Sequence, residues 1–364
     1  MFSSLIRAVV ALTAVSVFVP TVLAEEQKSV LDRMVVTPNR TPIDQDDSLV
    51  PIIVIDRDDI ERSQALDVAD LLRFHAGLDI ARNGGPGQTT SLFTRGTDSN
   101  HTLVLIDGVK VNPGSIGGAA FQNIMLEMIE RIEVVEGPRS TLYGSEAIGG
   151  VVNIITRRPT RPQFDVGLSG GHYSTIAARA SGRFIGKAGA LGFSVERLET
   201  DGFPTRAESD LNRGYDNTTV NLDATTDFGP VETTLRYWQA EGNTEYLGFS
   251  LEPLDQDYKN STASLTFNMP LAQNWDTRVV FSNVVDDISQ NQPNEFTGDF
   301  DFVETNRNSI DWQNEGRVGD KHRIVAGIQF WNENVQSLSF GTGYDEDTTD
   351  TGVYVSDHIR WDQG

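Results

Sequence analysis

The sequence predicts a small mixed α/β domain followed by an antiparallel β-barrel that crosses a membrane. Three observations carry this. The first 24 residues read as an export signal, and residues 129–158 read as a strand, two sharp backbone reversals and a second strand. Beyond residue 161 the chain alternates apolar and polar with a period of two.

In the export signal, Arg7 precedes an apolar core at 8–19, then Pro20 and the small-residue site Val22-Leu23-Ala24, where a signal peptidase can cut. The core is too short to cross a bilayer, and Glu25-Glu26 follows at once. No later apolar run approaches the length of a transmembrane helix, so an exported chain that stays in a membrane has to do so as a barrel. Hydrophobic residues are 38% of the chain and the mean hydropathy is −0.30, values that suit a soluble protein. Alternating strands, however, hide a lipid-facing band from such averages. Cysteine is absent, so hydrogen-bond ladders and packing must hold the exported chain. A net charge of −23 argues against a nucleic-acid partner, because phosphate binding needs clustered Lys and Arg. Acidic runs such as 345–350 read as solvated loops.

Residues 25–40 form a short polar tail with one apolar patch, Met34, Val35 and Val36. The α/β domain follows over 41–160. A strand is expected at 52–55, then a helix capped by Asp67 or Ser63 that carries Val68, Leu71 and Leu72 at helical spacing. Gly77 stands where a left-handed C-terminal cap is expected. A strand at 78–81 leads into Asn83-Gly84-Gly85-Pro86-Gly87-Gln88, a tight exposed loop without the Gly-Lys-Ser/Thr that would hold a nucleotide phosphate. After Leu92-Phe93-Thr94-Arg95-Gly96 comes a hairpin of 103–106 with 109–111, turning at Asp107-Gly108. Ile132, Val134 and Val135 form the next strand, which Gly137-Pro138 stops. Tyr143-Gly144 and Gly149-Gly150 then reverse the chain before the apolar strand of Val151, Val152, Ile154 and Ile155.

From 161 to 364 roughly ten strands are expected. Val220, Leu222, Ala224 and Phe228 fall on one face, with Asn221, Asp223, Thr225 and Asp227 on the other; Ala263, Leu265, Phe267 and Met269 oppose Ser264, Thr266 and Asn268. A face that carries charges strand after strand must line water, which leaves the apolar face to lipid. Short turns at 186–189, 229–230 and 270–273 alternate with longer polar loops at 201–216, 241–257, 288–301 and 341–350. Tyr237, Trp238, Trp275 and Trp331 suit an interfacial girdle. Ten strands would leave open edges in lipid, and the chain stops at Trp361-Asp362-Gln363-Gly364 without completing a strand, so the expectation is a truncated barrel.

Read together, these parts resemble the TonB-dependent outer-membrane receptors. The segment IERIEVVEGPRSTLYGSEAIGGVVNIITRR, together with HTLVLIDGVKVN at 101–112, resembles the end and middle of that family's plug domain, in its cobalamin-transporting form. The resemblance implies an α/β plug inside a transmembrane antiparallel barrel, of which this chain carries about ten of about 22 strands. It implies no enzyme, and the chain has no cysteine to serve as a thiol nucleophile. It also implies a monomer embedded in outer-membrane lipid and taking up cobalamin, or, as an alternative, a ferric siderophore. A further rival is an outer-membrane binding protein that transports nothing.

Asp32, Arg33, Met34, Val35, Val36, Thr37 and Pro38 look like the TonB box, an extended segment that can add as an edge strand to the periplasmic partner TonB. The apical plug loops touch the ligand in that family, which here implies Asn83, Gly84, Gly85, Gly87, Gln88, Asn112, Ser115 and Gly117. Arg95 resembles a plug arginine that pairs with barrel-wall carboxylates. A second arginine common among relatives is replaced here by Glu136. No cofactor is required, although Asp201, Glu208, Asp210 and Asp216 offer hard oxygen donors where some cobalamin receptors bind calcium.

Overall fold

The computed structural model describes residues 50–360, except 76, 159 and 320, together with two short strands, β1 (Met34–Val35) and β2 (Ile43–Asp44). The export signal, the remainder of the tail and the last four residues lie outside the described residues.

The α/β domain is built on a five-stranded sheet in the order β3 (Ile52–Ile55), β8 (Ile129–Glu136), β9 (Gly150–Thr156), β6 (Thr102–Ile106), β7 (Val109–Lys110). All its neighbours run antiparallel except β6 and β9. A second pair, β4 (Leu78–Arg82) with β5 (Thr90–Thr94), flanks it. The expected hairpin turn is present, with Asp107 at φ 51° and Gly108 at φ 86°, as a type I′ turn requires. Helix α2 (Val68–Leu72) has Asp67 as its cap, the carboxylate accepting from the Asp70 N–H at 2.9 Å. It stops at Arg73, so Gly77, at φ 83°, shapes the entry to β4 and does not cap the helix. Helix α1 (Arg57–Ser63), capped by Asp56, was not foreseen. Ile60 is its only buried residue, so it carries no apolar periodicity to read. Ile55, Leu72, Val104, Ile132, Val134, Val152 and Ile154 fill one core, each at most 2% exposed. Each such side chain stabilises the domain by about 1.5–3 kcal/mol.

Ten strands follow in strict sequence order, each antiparallel to the next: β10 (Gln163–Gly170), β11 (Ile176–Gly186), β12 (Gly189–Pro204), β13 (Asn212–Phe228), β14 (Val231–Leu247), β15 (Pro253–Ala272), β16 (Trp275–Gln290), β17 (Phe302–Val318), β18 (His322–Ser339) and β19 (Thr342–Ile359). The faces are inverted as expected. On β13, Asn217, Thr219, Asn221 and Asp223 are at most 5% exposed, while Leu222 and Phe228 are 44% and 67% exposed. Strands of 16–20 residues from β12 onward exceed the roughly 9–11 that cross a bilayer. Their excess stands above the apolar band.

Three expectations are corrected. The loops placed at 201–216 and 241–257 shrink to 205–211 and 248–252, because β12 and β13 stay paired up to Pro204 with Asn212, and β14 and β15 from Glu232 with Asn268 up to Leu247 with Pro253. The acidic run at 345–350 is strand, not loop: Phe340-Gly341 turns the chain at once, and Asp345 to Asp350 ladder against β18. Trp238 and Trp331 do not form a girdle, since their strand parity points them inward. Trp238 is 3% exposed and joins the domain's core, and the Trp331 ring lies under Lys110, 5.4 Å from Nζ. Trp275, 39% exposed, opens β16 beside a short turn.

Candidate functional site

Among the described residues, the polar face of the ten-stranded sheet grips the α/β domain at three seats besides the 83–88 loop taken up below. The first holds the 3-10 turn Phe121–Asn123. Tyr215 Oη donates to the Gln122 carbonyl at 3.1 Å, and Asn217 Nδ2 to the Asn123 carbonyl at 3.1 Å. Asn123 Nδ2 donates to Asn260 Oδ1 at 2.8 Å, and Asn260 Nδ2 passes the chain on to Asp286 at 2.6 Å. These groups are 6% exposed or less, so each missing bond would leave a polar atom stranded.

The second seat holds the segment after β7. Arg307, 4% exposed on β17, pairs with Glu333 of β18 and donates to the Asn112 carbonyl at 2.8 Å. Thr305 Oγ1 donates to Ser115 Oγ at 3.2 Å. Burial first, and then the Arg307 charge, push the Lys110 ammonium below its ordinary value, against the pull of Glu146 at 2.6 Å.

The third seat is ionic. Asp107, at the β6–β7 turn, accepts from Thr156 Oγ1 at 2.6 Å and pairs with Arg158, while Arg236 of β14 lies 3.8 Å away. Burial pushes the Asp107 carboxyl up, but Arg158, Arg236 and the Thr156 bonds outweigh it, so it titrates below the usual carboxylate range. Glu127 similarly joins Arg57 and Arg157 of the domain to Arg179 of β11, at 3.1, 2.7 and 3.2 Å. Hydrogen bonds and ion pairs of this kind can be broken and remade, which suits a reversible seat.

The loop-borne candidates are placed differently from expectation. Asn83 is exposed, but Gly85, Gly87 and Gln88 are buried against the wall. Gln88 Nε2 donates to the Glu245 carbonyl at 3.1 Å, and a Cβ on Gly87, at φ 73°, would run into the Tyr215 ring. Only glycine lets the chain approach that ring so closely. Gly84 is half-buried beside the Gln88 amide.

Asn112 is fully buried. It accepts from the Val104 N–H at 2.7 Å and donates to the carbonyls of Thr102 and Gly117 at 3.0 and 2.8 Å, pinning its own loop. Ser115 and Gly117 are half-buried on that loop, and at Gly117, φ 72°, a Cβ would meet Asn100 Cβ at 2.7 Å. These glycines fit chain to chain, a use that composition cannot separate from fitting chain to ligand.

Arg95 pairs with Glu136 of the same domain at 2.8 Å instead of a wall carboxylate. The substitution noted in the sequence thus supplies its counter-ion. The four acidic residues Asp201, Glu208, Asp210 and Asp216 do not converge. Asp216 pairs with Arg197 at 2.8 Å, and no group of three or more His, Asp or Glu side chains able to hold a metal occurs among the described residues. The set does not fit a calcium ion. Of the tail residues, Met34 and Val35 form β1, while Asp32, Arg33, Val36, Thr37 and Pro38 lie outside the described residues. Sequence reasoning missed Tyr215, Asn217, Asn260, Arg307 and Glu333. Strand parity marks them as inward, but nothing local says which inward residues meet the domain.

Residues 44–151 match the TonB-dependent receptor plug domain. The chain is 32% identical over 347 residues to a protein of Photobacterium profundum named vitamin B12 transporter BtuB, covering 90% of this chain and 54% of that protein. A protein of the same name from Vibrio vulnificus is 30% identical over 350 residues, with the same coverage. The chain therefore spans about half the length of the curated relatives it matches. Among solved structures, Pseudomonas aeruginosa FpvA bound to pyoverdine is similar with a TM-score of 0.78 at 14% identity, covering 91% of this chain and 52% of that one. The ferric-catecholate import receptor Fiu of Escherichia coli is similar with a TM-score of 0.70 at 15% identity, covering 89% and 55%.

Proposed function

We propose that this chain, whose residues 44–151 match the TonB-dependent receptor plug domain, is a receptor of that family and acts at the outer membrane as an energy-coupled receptor for a bulky metal-containing ligand, cobalamin before a ferric siderophore. The observation that carries the reading is a plug held on a polar lumenal face by breakable hydrogen bonds and ion pairs, while the opposite face of the same strands is apolar. The order of cargoes rests on the relatives at 30–32% identity named as vitamin B12 transporters. The siderophore receptors among the solved structures share the fold at 14–15% identity and leave that order unchanged.

In this reading the ligand settles on the plug and the long-loop rim, and the 32–38 segment pairs as an edge strand with TonB in the periplasm. Force on that tail breaks the seats and opens a path beside the plug. The chain carries no Walker loop, so energy comes through the tail. Deletion of residues 32–38 is expected to abolish uptake of labelled cobalamin by cells while leaving its binding to purified protein unchanged. Uptake that persists would remove the tail from the mechanism. Titration of the purified full chain with cobalamin against a ferric siderophore decides the cargo.

A further inference from the structure

At the long-loop rim a cavity of about 260 Å³ lies between the plug and the first strands of the wall. Leu66, Pro86 and Met125 of the plug face Leu198, Phe203 and Tyr215 of β12 and β13 across it, and Tyr173 of the turn between β10 and β11 stands at the mouth. Of the polar groups on its border, the Tyr215, Thr175 and Thr200 hydroxyls and the one carboxylate are already bonded, and the exposed His172 ring stands beside Tyr173 at the mouth. Tyr215 Oη is committed to the Gln122 carbonyl, Thr175 and Thr200 hydroxyls bond each other at 2.8 Å, and Thr200 also donates to the Tyr173 carbonyl. The Asp67 carboxylate, at its floor, is held by Arg82 at 2.7 Å. A cavity with mostly apolar walls, whose uncommitted polar groups, the His172 ring among them, lie at its mouth, gives water too few partners, and such a space favours an uncharged, largely apolar guest.

The mouth is shaped for a ring. Tyr173 and Ser174 hold φ of 57° and 56°, a left-handed pair that non-glycine residues rarely adopt, and this sets the Tyr173 ring 5.4 Å from Phe203. Tyr173 remains 55% exposed, so one of its surfaces lacks a partner. A flat ring entering between Tyr173, Phe203 and Leu66 would meet aromatic and aliphatic surface on several sides.

We propose that this cavity is a subsite for an uncharged planar aromatic arm of the ligand, separate from the charged metal-bearing body, which is too large and too polar for it. The proposal rests on the receptor reading and adds the chemical class of the arm. Benzimidazole, uncharged at pH 7.5, is the probe, titrated by saturation-transfer NMR into the full chain in lipid nanodiscs. Saturable binding is expected. It should weaken at least tenfold in Leu66→Trp, which fills the cavity, and severalfold in Tyr173→Ala, which removes the mouth at an exposed position and does not disturb the core. Phe296→Ala, on the remote 291–301 loop, should leave it unchanged. Binding that is unsaturable, or equal in wild type, Leu66→Trp and Tyr173→Ala, would overturn the proposal. Separate titration with cobalamin and a ferric siderophore keeps the two readings apart. A chain that takes benzimidazole here but neither complex keeps the cavity and loses the receptor assignment. One that takes a complex but shows no saturable benzimidazole binding does the reverse.

Discussion

Arg307 shows how one side chain can fasten a domain. It is nearly inaccessible, faces Glu333, and spends a donor on the Asn112 carbonyl of the plug. Arg307→Met would leave the Glu333 carboxylate buried without a counter-ion, a change expected to cost about 3–5 kcal/mol in denaturant unfolding of the reconstituted protein. Arg307→Met combined with Glu333→Gln should recover much of that loss. Asn112→Ala strands the Val104 N–H and two carbonyls. A loss of about 1–3 kcal/mol is expected for each stranded group that water cannot reach, read in the same unfolding assay.

Asp107 adds a pH dependence. Its carboxyl titrates below the ordinary range, so ionised Asp107 stabilises the fold above about pH 4 and that contribution fades as pH falls through the depressed folded value. The stability gap between wild type and Asp107→Asn should therefore be full at neutral pH and close under acid. A gap that widens toward acid would mean that Arg158 and Arg236 are not what holds the group.

Elements in this molecule are set by turns as much as by strands. The two-residue turn Phe340-Gly341 fixes the register of β19, with Val353 and Val355 turned outward at 74% and 73% exposure and Tyr354 inward at 7%. One residue inserted between Phe340 and Gly341 would swap those faces. The expected outcome is a protein that no longer inserts, seen as loss of the heat-dependent shift in electrophoretic mobility that folded barrels show. Gly87→Ala tests the loop-to-wall fit. With φ at 73° and the Tyr215 ring where the methyl would go, the loop should detach, exposing residues 83–88 to limited proteolysis.

At the scale of the whole molecule, the inverted faces decide where the chain can live. Leu222, Phe281, Ile310 and Ile328 point out from β13, β16, β17 and β18 at 43–44% exposure, and the opposite faces of those strands bury Asn221, Asp286, Arg307 and Glu333. A dry interior could not hold the second set, and water would not favour the first. The chain is expected to stay with the membrane fraction after an alkaline carbonate wash. Quantitative release into the supernatant would contradict the lipid-facing assignment.

The sequence by itself determined the α/β domain followed by ten alternating strands, and which face of each strand is polar, because pleat parity and turn residues are local properties. The Asp107-Gly108 hairpin, the Asp67 cap and the strand at 52–55 could all be read from neighbours in the chain. Tertiary structure alone decided what the glycines at 85 and 87 are for, why Asn112 is buried, which base answers Glu333, and that an acidic run could be strand. The glycines answer to Tyr215 and Phe203 far along the chain, Asn112 and Glu333 to how a loop and two neighbouring strands close around them, and the acidic run to the register a turn imposes; none of these leaves a mark on the local pattern.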